Sequence, residues 1–309
     1  MAARFSFVRR LSSSALAVRP RRTIMYVPGS DERKVEKAKS LDADTLVFDC
    51  EDGVAYAKKK EARSLIVRAL EQMQFGRSER VVRINSMDSG LAEDDLVEIL
   101  RAVNLPDAIL LPKVETAEIV ARFQSKVESL IPSDVTSYPF LAIVESARAL
   151  VNIKEICDAG TRGKVHLSGL TFGADDYAAS IGAVRTKSSS EVLCARQLVV
   201  MHAKAYGLQA VDMVNINYKD LEGLKAEAQE GATMGFTGKQ VIHPDQIPVV
   251  HAAFSPSLEQ IKSAKNLIKA FERHQAEGKG AFTYEGKMID MPTVLQAKNV
   301  TDLAKAIGD

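Results

Sequence analysis

Short β-rich apolar runs alternate with helical patterns along most of the chain, and this alternation limits the fold more than any other feature. Eight runs are strand candidates: residues 23–27, 45–49, 80–84, 108–111, 140–144, 165–172, 210–214 and 236–242. Amphipathic segments such as 58–73 and 190–206 lie between them. Strands that alternate with helices form parallel sheets, so the pattern predicts an α/β fold, a (β/α)8 TIM barrel. An open doubly wound sheet is the alternative.

The 309 residues are sufficient for one barrel of about 250 residues and an extension. We therefore predict a barrel domain over residues 23–250 and a C-terminal helical extension over 251–309. The extension contains an amphipathic pattern over 257–275 and a final helix from about 293 to 307. It lies outside the eight-strand count, so it either covers one end of the barrel or reaches a neighbouring subunit.

The first 22 residues differ in composition from the rest of the chain. They contain six arginines and a Ser12-Ser13-Ser14 run, and the first acidic residue is Asp31. An Arg- and Ser-rich, acid-poor start is typical of a mitochondrial transit peptide, which predicts a matrix protein. A disordered basic tail is the alternative. Without these arginines the net charge of +1 would become about −5, so neither the charge nor any long apolar run indicates a nucleic-acid or membrane partner.

Two acidic clusters follow neighbouring strand candidates. Glu145 comes directly after run 140–144, and Asp175-Asp176 follow run 165–172 after Gly173-Ala174. The carboxyl ends of barrel strands meet at one mouth, where barrel enzymes hold their reactive groups. Carboxylate oxygens without nearby His or Cys suit Mg²⁺. The alternative interpretation is that these acids cap the helices that follow.

Most of the other strand candidates also end in ionisable or hydrogen-bonding groups. These include Tyr26, Asp49, Glu51, Asp52, Arg83, Lys113, Glu115 and His243. In a barrel they would converge on the same mouth, which predicts a polar site of mixed charge. A ring of structural ion pairs would produce the same pattern.

Seven segments, in chain order, resemble the citrate lyase β-subunit family of the HpcH/HpaI aldolase superfamily. They are Tyr-Val-Pro-Gly (26–29), Asp-Cys-Glu-Asp-Gly-Val (49–54), Arg-Ile-Asn (83–85), Pro-Lys-Val-Glu (112–115), Phe-Gly-Ala-Asp-Asp-Tyr (172–177), Gly-Phe-Thr-Gly-Lys-Gln-Val-Ile-His-Pro (235–244) and Ile-Asp-Met-Pro (289–292). The resemblance extends from about Thr23 to the end of the chain. It implies a (β/α)8 barrel, Mg²⁺ as cofactor and action on acyl-CoA thioesters.

The resemblance also implies roles for individual residues. Glu145 and Asp176 match the metal ligands, and Arg83 matches a catalytic arginine that contacts substrate. Asp290 matches the catalytic acid/base of a C-terminal lid. In relatives this lid closes over the active site of a neighbouring protomer, so the resemblance implies a homo-oligomer, and the family leads us to expect a trimer. Asp290 could alternatively be a helix N-cap. Further substrate-binding positions fall on Tyr26, Arg33, Lys37, Ile242 and His243.

Together these assignments imply a Mg²⁺-dependent carbon–carbon lyase. The expected reaction cleaves citramalyl-CoA to acetyl-CoA and pyruvate, with a malate synthase-type condensation as a side activity. A malyl-CoA or methylmalyl-CoA lyase is the alternative within the same class. A non-catalytic subunit of a citrate lyase-type complex and a regulatory protein that binds CoA or a metabolite are the alternatives from other classes.

Overall fold

The structure is a computed structural model that describes residues 19–276, 282–284 and 286–308. The chain forms two compact units, one over Arg21–Phe254 and one that contains the chain from Ser255 onward. Most of the predicted transit peptide, residues 1–18, lies outside the described residues. Within the part of the chain that is described, we find no helix with the length and hydropathy needed to span a bilayer.

The first unit is a closed barrel of eight parallel strands. Each strand pairs with the next in sequence, and the first pairs with the last, which confirms the predicted TIM barrel and excludes the open sheet. The strands are β1 (Thr23–Pro28), β2 (Thr45–Asp49), β3 (Glu79–Arg83), β4 (Ala108–Leu111), β5 (Tyr138–Val144), β6 (Val165–Phe172), β7 (Gln209–Asp212) and β8 (Gly238–Val241).

Ten helices surround the strands and enclose the larger part of the core. They are α1 (Glu32–Ala38), α2 (Lys59–Gln72), α3 (Ala92–Ile99), α4 (Ala117–Leu130), α5 (Ala147–Val151), α6 (Ile153–Gly160), α7 (Ala174–Ser180), α8 (Leu193–Ala205), α9 (Leu221–Met234) and α10 (Gln246–Ala253). Alternate strand residues face opposite sides of a sheet. Leu46 and Phe48 accordingly belong to the large core cluster, which also contains the buried helix residues, whereas Val47 belongs to a separate smaller cluster formed almost entirely by strand residues.

Two arginines before β1 belong to the barrel unit. The Arg21 guanidinium donates to both oxygens of Glu79 at 2.7 and 2.6 Å, and Arg22 donates to both oxygens of Asp44 at 2.8 Å. All four side chains are buried. A leader removed after residue 22 would therefore take away the bidentate arginine partners of two buried carboxylates.

We expect a chain that begins at Thr23 to be less stable than one that begins at Pro20. Removing one partner of a buried ion pair costs about 3–5 kcal/mol, because a buried charge is left uncompensated. Two such pairs are lost in the shorter chain, so its free energy of unfolding will be lower by at least about 3 kcal/mol. Urea unfolding followed by circular dichroism measures the difference, and equal midpoints for the two chains would show that these pairs contribute nothing.

The described residues of the second unit form two helices and a short hairpin. Helix α11 (Leu258–Ala276) packs against α12 (Met291–Ile307), and the antiparallel strands β9 (Phe282–Tyr284) and β10 (Lys287–Ile289) lie between them in sequence. Its core includes Phe271, Ile289 and Val294. Both predicted helices are confirmed, whereas the hairpin was not expected. The function of this unit as a lid on a neighbouring subunit stays a prediction.

Candidate active site at the barrel mouth

Glu145, the first residue after β5, is a buried carboxylate with few hydrogen-bond donors. Its side chain is 8% exposed, and its Oε1 accepts a hydrogen bond of 2.6 Å from the backbone N–H of Lys113. Burial raises the pKa of Glu145 to about 8; the Lys113 hydrogen bond opposes this shift, and the charges of Glu51 and Asp176 add to it. A carboxylate in this environment is stabilised by a bound cation.

Asp175 and Asp176 lie in the first turn of α7. Successive side chains on a helix diverge by about 100° rather than 180°. Arg185 binds Asp175 at 2.9 Å, whereas Asp176 lines the same cleft as Glu145. Gly173 is the N-cap of α7 and Ser146 is the N-cap of α5, so none of the three acids is a capping residue.

The space around Glu145 and Asp176 fits a divalent cation. A Cβ at Gly173 would lie 2.5 Å from Glu145 Cβ and 2.7 Å from its Oε2, so the absence of a side chain there makes room for this carboxylate. Lys113 occupies Oε1, which leaves Oε2 for a ligand. Among the described residues no group of three or more His, Cys, Asp or Glu forms a metal site. Two carboxylates completed by water and substrate oxygens are a usual Mg²⁺ site.

Arg83, at the end of β3, is held by two acids from the end of β2. Its Nε and Nη2 each donate to Asp49 at 2.7 Å, and its Nη1 lies 3.0 Å from Glu51. The register pairs Asp49 with Arg83, which places both side chains on the same face of the sheet. Although burial lowers it, these acids raise the pKa of Arg83 above its usual value, so the group is permanently charged. Of the five guanidinium N–H groups, two remain for an anionic ligand.

Tyr26 supports Arg83 from strand β1, which is separated from β3 by β2. The guanidinium lies 4.9 Å from the centre of the Tyr26 ring, and the Tyr26 hydroxyl donates to Gln240 Oε1 at 2.8 Å. Gln240 Nε2 in turn donates to the carbonyls of Phe172 and Asp212, which fixes the orientation of its amide. Burial raises the pKa of the Tyr26 hydroxyl, so this group is neutral. Tyr26 therefore holds the guanidinium in place through its ring.

The predicted substrate-binding residues line one cleft of about 780 Å³. Arg33 and Lys37 are exposed on α1, one helical turn apart, and present two positive charges to this cleft. Its other predicted members are Tyr26, Arg83, Ile242 and His243. Glu145 and Asp176 line a second cleft of about 630 Å³, and Glu51 connects the two, since it binds Arg83 of the first and Lys113 of the second.

Asp290 lies in the second compact unit and is the N-cap of α12. It is exposed and accepts hydrogen bonds from Thr293, from the backbone N–H at 3.1 Å and from the hydroxyl at 2.8 Å. These bonds lower the pKa of Asp290, so it is ionised at neutral pH in this conformation. The N-cap expectation is confirmed, and a catalytic function stays a prediction.

Three groups near the site received no function from the sequence. Gln240 and Lys59 act on main-chain carbonyls: Lys59 Nζ donates to the carbonyls of Cys50 and Glu51 and to the Asn85 side chain, at 2.7–2.8 Å. Lys113 was visible only as a strand-end residue. A hydrogen bond to a main-chain carbonyl cannot be predicted from the identity of the residue that donates it. Of these three residues, Lys113 alone could have been found from the sequence, by its position at a strand end.

Mg²⁺ binding to the metal-free protein will depend on pH. Below pH 8 Glu145 is mostly protonated, so binding must release a proton, and the affinity will rise about tenfold per pH unit up to about pH 8 and level off above it. The pKa of Glu145 in the folded protein lies above its ordinary value of 4.5. The unfolded chain therefore loses this proton at lower pH than the folded one, and the metal-free protein becomes less stable as pH rises from 4.5 to about 8. Titration calorimetry from pH 6 to 9 measures the affinity. A flat profile would contradict the assignment of Glu145, and Glu145→Gln should abolish the pH-dependent step.

A closed (β/α)8 barrel with cationic and acidic side chains at the carboxyl ends of its strands has the architecture of a barrel enzyme. The family model for HpcH/HpaI aldolase/citrate lyase matches residues 22–244. The chain belongs to this family, as its sequence motifs predicted.

Individual relatives cover nearly the whole chain. The human protein "Citramalyl-CoA lyase, mitochondrial" is 48% identical over 304 residues, which cover 96% of this chain and 89% of the relative. "Citrate lyase subunit beta" of Leuconostoc mesenteroides subsp. cremoris is 37% identical over 93% of this chain and 94% of its own length. The structure of protein CitE from Mycobacterium tuberculosis with magnesium, acetoacetate and coenzyme A is 29% identical and superposes with a TM-score of 0.74, over 94% of this chain and 99% of that one.

Proposed function

We propose that the protein is a Mg²⁺-dependent lyase that cleaves citramalyl-CoA to acetyl-CoA and pyruvate. The observation that carries the proposal is the position of Arg83. It lines a basic cleft and is held by Asp49 and Glu51, and Glu51 also binds Lys113 of the cleft that contains Glu145 and Asp176. A substrate with a CoA phosphate end and an oxyacid end matches these two clefts. The 48% identity to human citramalyl-CoA lyase and the magnesium and coenzyme A in the related CitE structure support it.

In this proposal the basic cleft binds the CoA portion of the substrate. Arg33 and Lys37 would contact its phosphates, since both are exposed on one face of α1. The thioester would then lie between Tyr26 and the segment that contains Ile242 and His243, because these residues line the same cleft.

The reaction breaks the bond between the carbinol carbon and the carbon next to the thioester. Glu145 and Asp176 would hold Mg²⁺, which supplies a Lewis acid for the substrate hydroxyl and carboxylate oxygens. As the bond breaks, the alcohol would release its proton to solvent and become the ketone of pyruvate, and after turnover Asp290 would regain its own proton from solvent. The remaining fragment is the enolate of acetyl-CoA, whose oxygen Arg83 would stabilise with its two free N–H groups. Asp290 would return a proton to the enolate carbon.

The protonated form of Asp290 needs a different environment from the one in this structure. Thr293 stabilises the carboxylate through two hydrogen bonds, and these lower the pKa of Asp290. Burial over a reaction site would raise its pKa and supply the acid. This role is proposed from the family resemblance, together with a homotrimer in which Asp290 serves a neighbouring subunit.

The mitochondrial relatives support a mitochondrial location for this protein, and the arginine-rich start supports a leader that directs it to the matrix.

The acyl group is the least constrained part of the proposal. Proteins of Cereibacter sphaeroides that are 36% identical are named (3S)-malyl-CoA thioesterase, and one methyl group discriminates by only about 1–3 kcal/mol. Purified protein with Mg²⁺ should be assayed in parallel with citramalyl-CoA, malyl-CoA, methylmalyl-CoA and citrate. We expect the highest kcat/KM with citramalyl-CoA and no turnover of citrate. Faster cleavage of malyl-CoA or methylmalyl-CoA would instead identify the protein as the lyase for that thioester.

A further inference from the structure

Lys113 follows β4 and has a backbone conformation that is rare for its residue type. Its φ is +53°, in the left-handed region that favours glycine. A side chain other than glycine raises the energy of this conformation by about 1 kcal/mol or more, so surrounding contacts must maintain it. Such strained positions are concentrated at functional sites.

Two contacts account for the conformation. The backbone N–H of Lys113 donates to Glu145 Oε1 at 2.6 Å, and the side-chain ammonium donates to Glu51 Oε1 at 2.8 Å. The same ammonium lies 3.9 Å from Asp52. One residue therefore contacts the proposed metal ligand with its main chain and the acid beside Arg83 with its side chain.

The ammonium also adds a second positive charge beside the buried acids that hold Arg83. Asp49 and Glu51 are both buried and share Arg83. Arg83 and Lys113 supply two positive charges against these two negative charges. Without the ammonium, Glu51 would keep Arg83 and the backbone N–H of Asp52 as partners, and it would compete more strongly with the substrate for the guanidinium.

We propose that Lys113 is a positioning residue with two separable functions: its main chain orients Glu145 toward the metal, and its ammonium holds Glu51 so that Arg83 is available to the substrate. The second function rests on the proposed lyase activity, whereas the first depends only on metal binding. The two functions can be separated because one belongs to the backbone and the other to the side chain.

Three substitutions separate them. Lys113→Asn removes the ammonium, but asparagine tolerates the left-handed conformation and keeps the N–H in place. Lys113→Val removes the ammonium and also disfavours this conformation, since valine is β-branched. Lys113→Arg keeps a positive charge. If Lys113→Val does not fold, Lys113→Ala, which is less restricted, takes its place.

The experiment measures Mg²⁺ affinity by calorimetry without substrate, and kcat and KM with citramalyl-CoA at saturating Mg²⁺, on the full chain. We expect Lys113→Asn to bind Mg²⁺ within about threefold of the wild type but to lose on the order of tenfold in kcat/KM. Lys113→Val should lose at least about tenfold in Mg²⁺ affinity as well, and Lys113→Ala an intermediate amount. Lys113→Arg should recover part of kcat/KM.

Ser189→Gly is the matched control, because Ser189 is the other non-glycine residue of the described ranges with a φ in the left-handed region. It should leave both measurements unchanged. Unchanged Mg²⁺ affinity in Lys113→Val, or in Lys113→Ala if it is used, would overturn the main-chain function, and wild-type kcat/KM in Lys113→Asn would overturn the side-chain function. If wild-type protein binds Mg²⁺ but cleaves no citramalyl-CoA, the proposed activity and the side-chain function both fail, while the calorimetry still tests the main-chain function.

Discussion

Replacing Gly173 by alanine should lower the affinity for Mg²⁺ by about 100-fold or more, although neither proposed ligand is changed. The φ of Gly173 is −91°, which alanine adopts readily, so the effect is steric. The new Cβ would lie 2.5 Å from Glu145 Cβ and 2.7 Å from Oε2, far inside contact distance. The carboxylate must therefore move out of the space next to Asp176. Calorimetric Mg²⁺ titration measures the loss of affinity, and a steady-state assay measures the accompanying loss of turnover.

A matched control separates this effect from a general loss of stability. Overpacking at Gly173 will also cost about 1–3 kcal/mol of folding free energy. Gly90 has a φ of +76° and nothing within 4 Å of an added Cβ, so Gly90→Ala introduces backbone strain away from any neighbour. We expect the control to be destabilised with normal Mg²⁺ affinity. Wild-type Mg²⁺ affinity in Gly173→Ala would contradict the proposed metal position.

Replacing Asp290 by asparagine should lower kcat by about 10³-fold while the fold is retained. A positioned acid or base contributes roughly 10²–10⁴-fold to the rate, and asparagine cannot transfer the proton. Asparagine is as good an N-cap as aspartate, so α12 should begin at the same residue. Steady-state kinetics with citramalyl-CoA gives the rate, and far-UV circular dichroism checks the helix content.

Mixed oligomers extend this test to the neighbouring subunit. Asp290→Asn and Glu145→Gln are each expected to be inactive alone. If Asp290 serves an adjacent protomer, co-expressed subunits will form some sites with an intact Glu145 and an intact Asp290, and activity will partly return. Full turnover by Asp290→Asn alone would remove Asp290 from the mechanism. Failure of the mixed oligomers to regain activity would place the reaction within one chain.

The sequence predicted the barrel because most strands contain a short apolar run with a polar group at its end. It failed locally where tertiary contacts decide the conformation. Asp175 and Asp176 looked like a strand end, but Gly173 ends β6 and starts α7 within one residue. Arg21 and Arg22 looked like part of a leader, because Glu79 and Asp44, which bind them, are 58 and 22 positions away.

The same limit applied to the site. The acids at the ends of β5 and β6 could be found from their position alone, since the ends of parallel strands converge. The left-handed conformation of Lys113 could not, because nothing in the residue type favours it and its contacts with Glu145 and Glu51, which maintain it, are tertiary. Gln240 was also hidden, since its partners include two main-chain carbonyls.

We infer that Glu145, Asp176 and Arg83 together form the site of a Mg²⁺-dependent carbon–carbon lyase. The most direct measurement follows acetyl-CoA and pyruvate together after citramalyl-CoA is added to metal-stripped protein, before and after Mg²⁺ is supplied. We predict equal amounts of both products, formed only after Mg²⁺ is added and stopped by EDTA. Unchanged citramalyl-CoA in the presence of Mg²⁺, or free CoA without pyruvate, would contradict the claim.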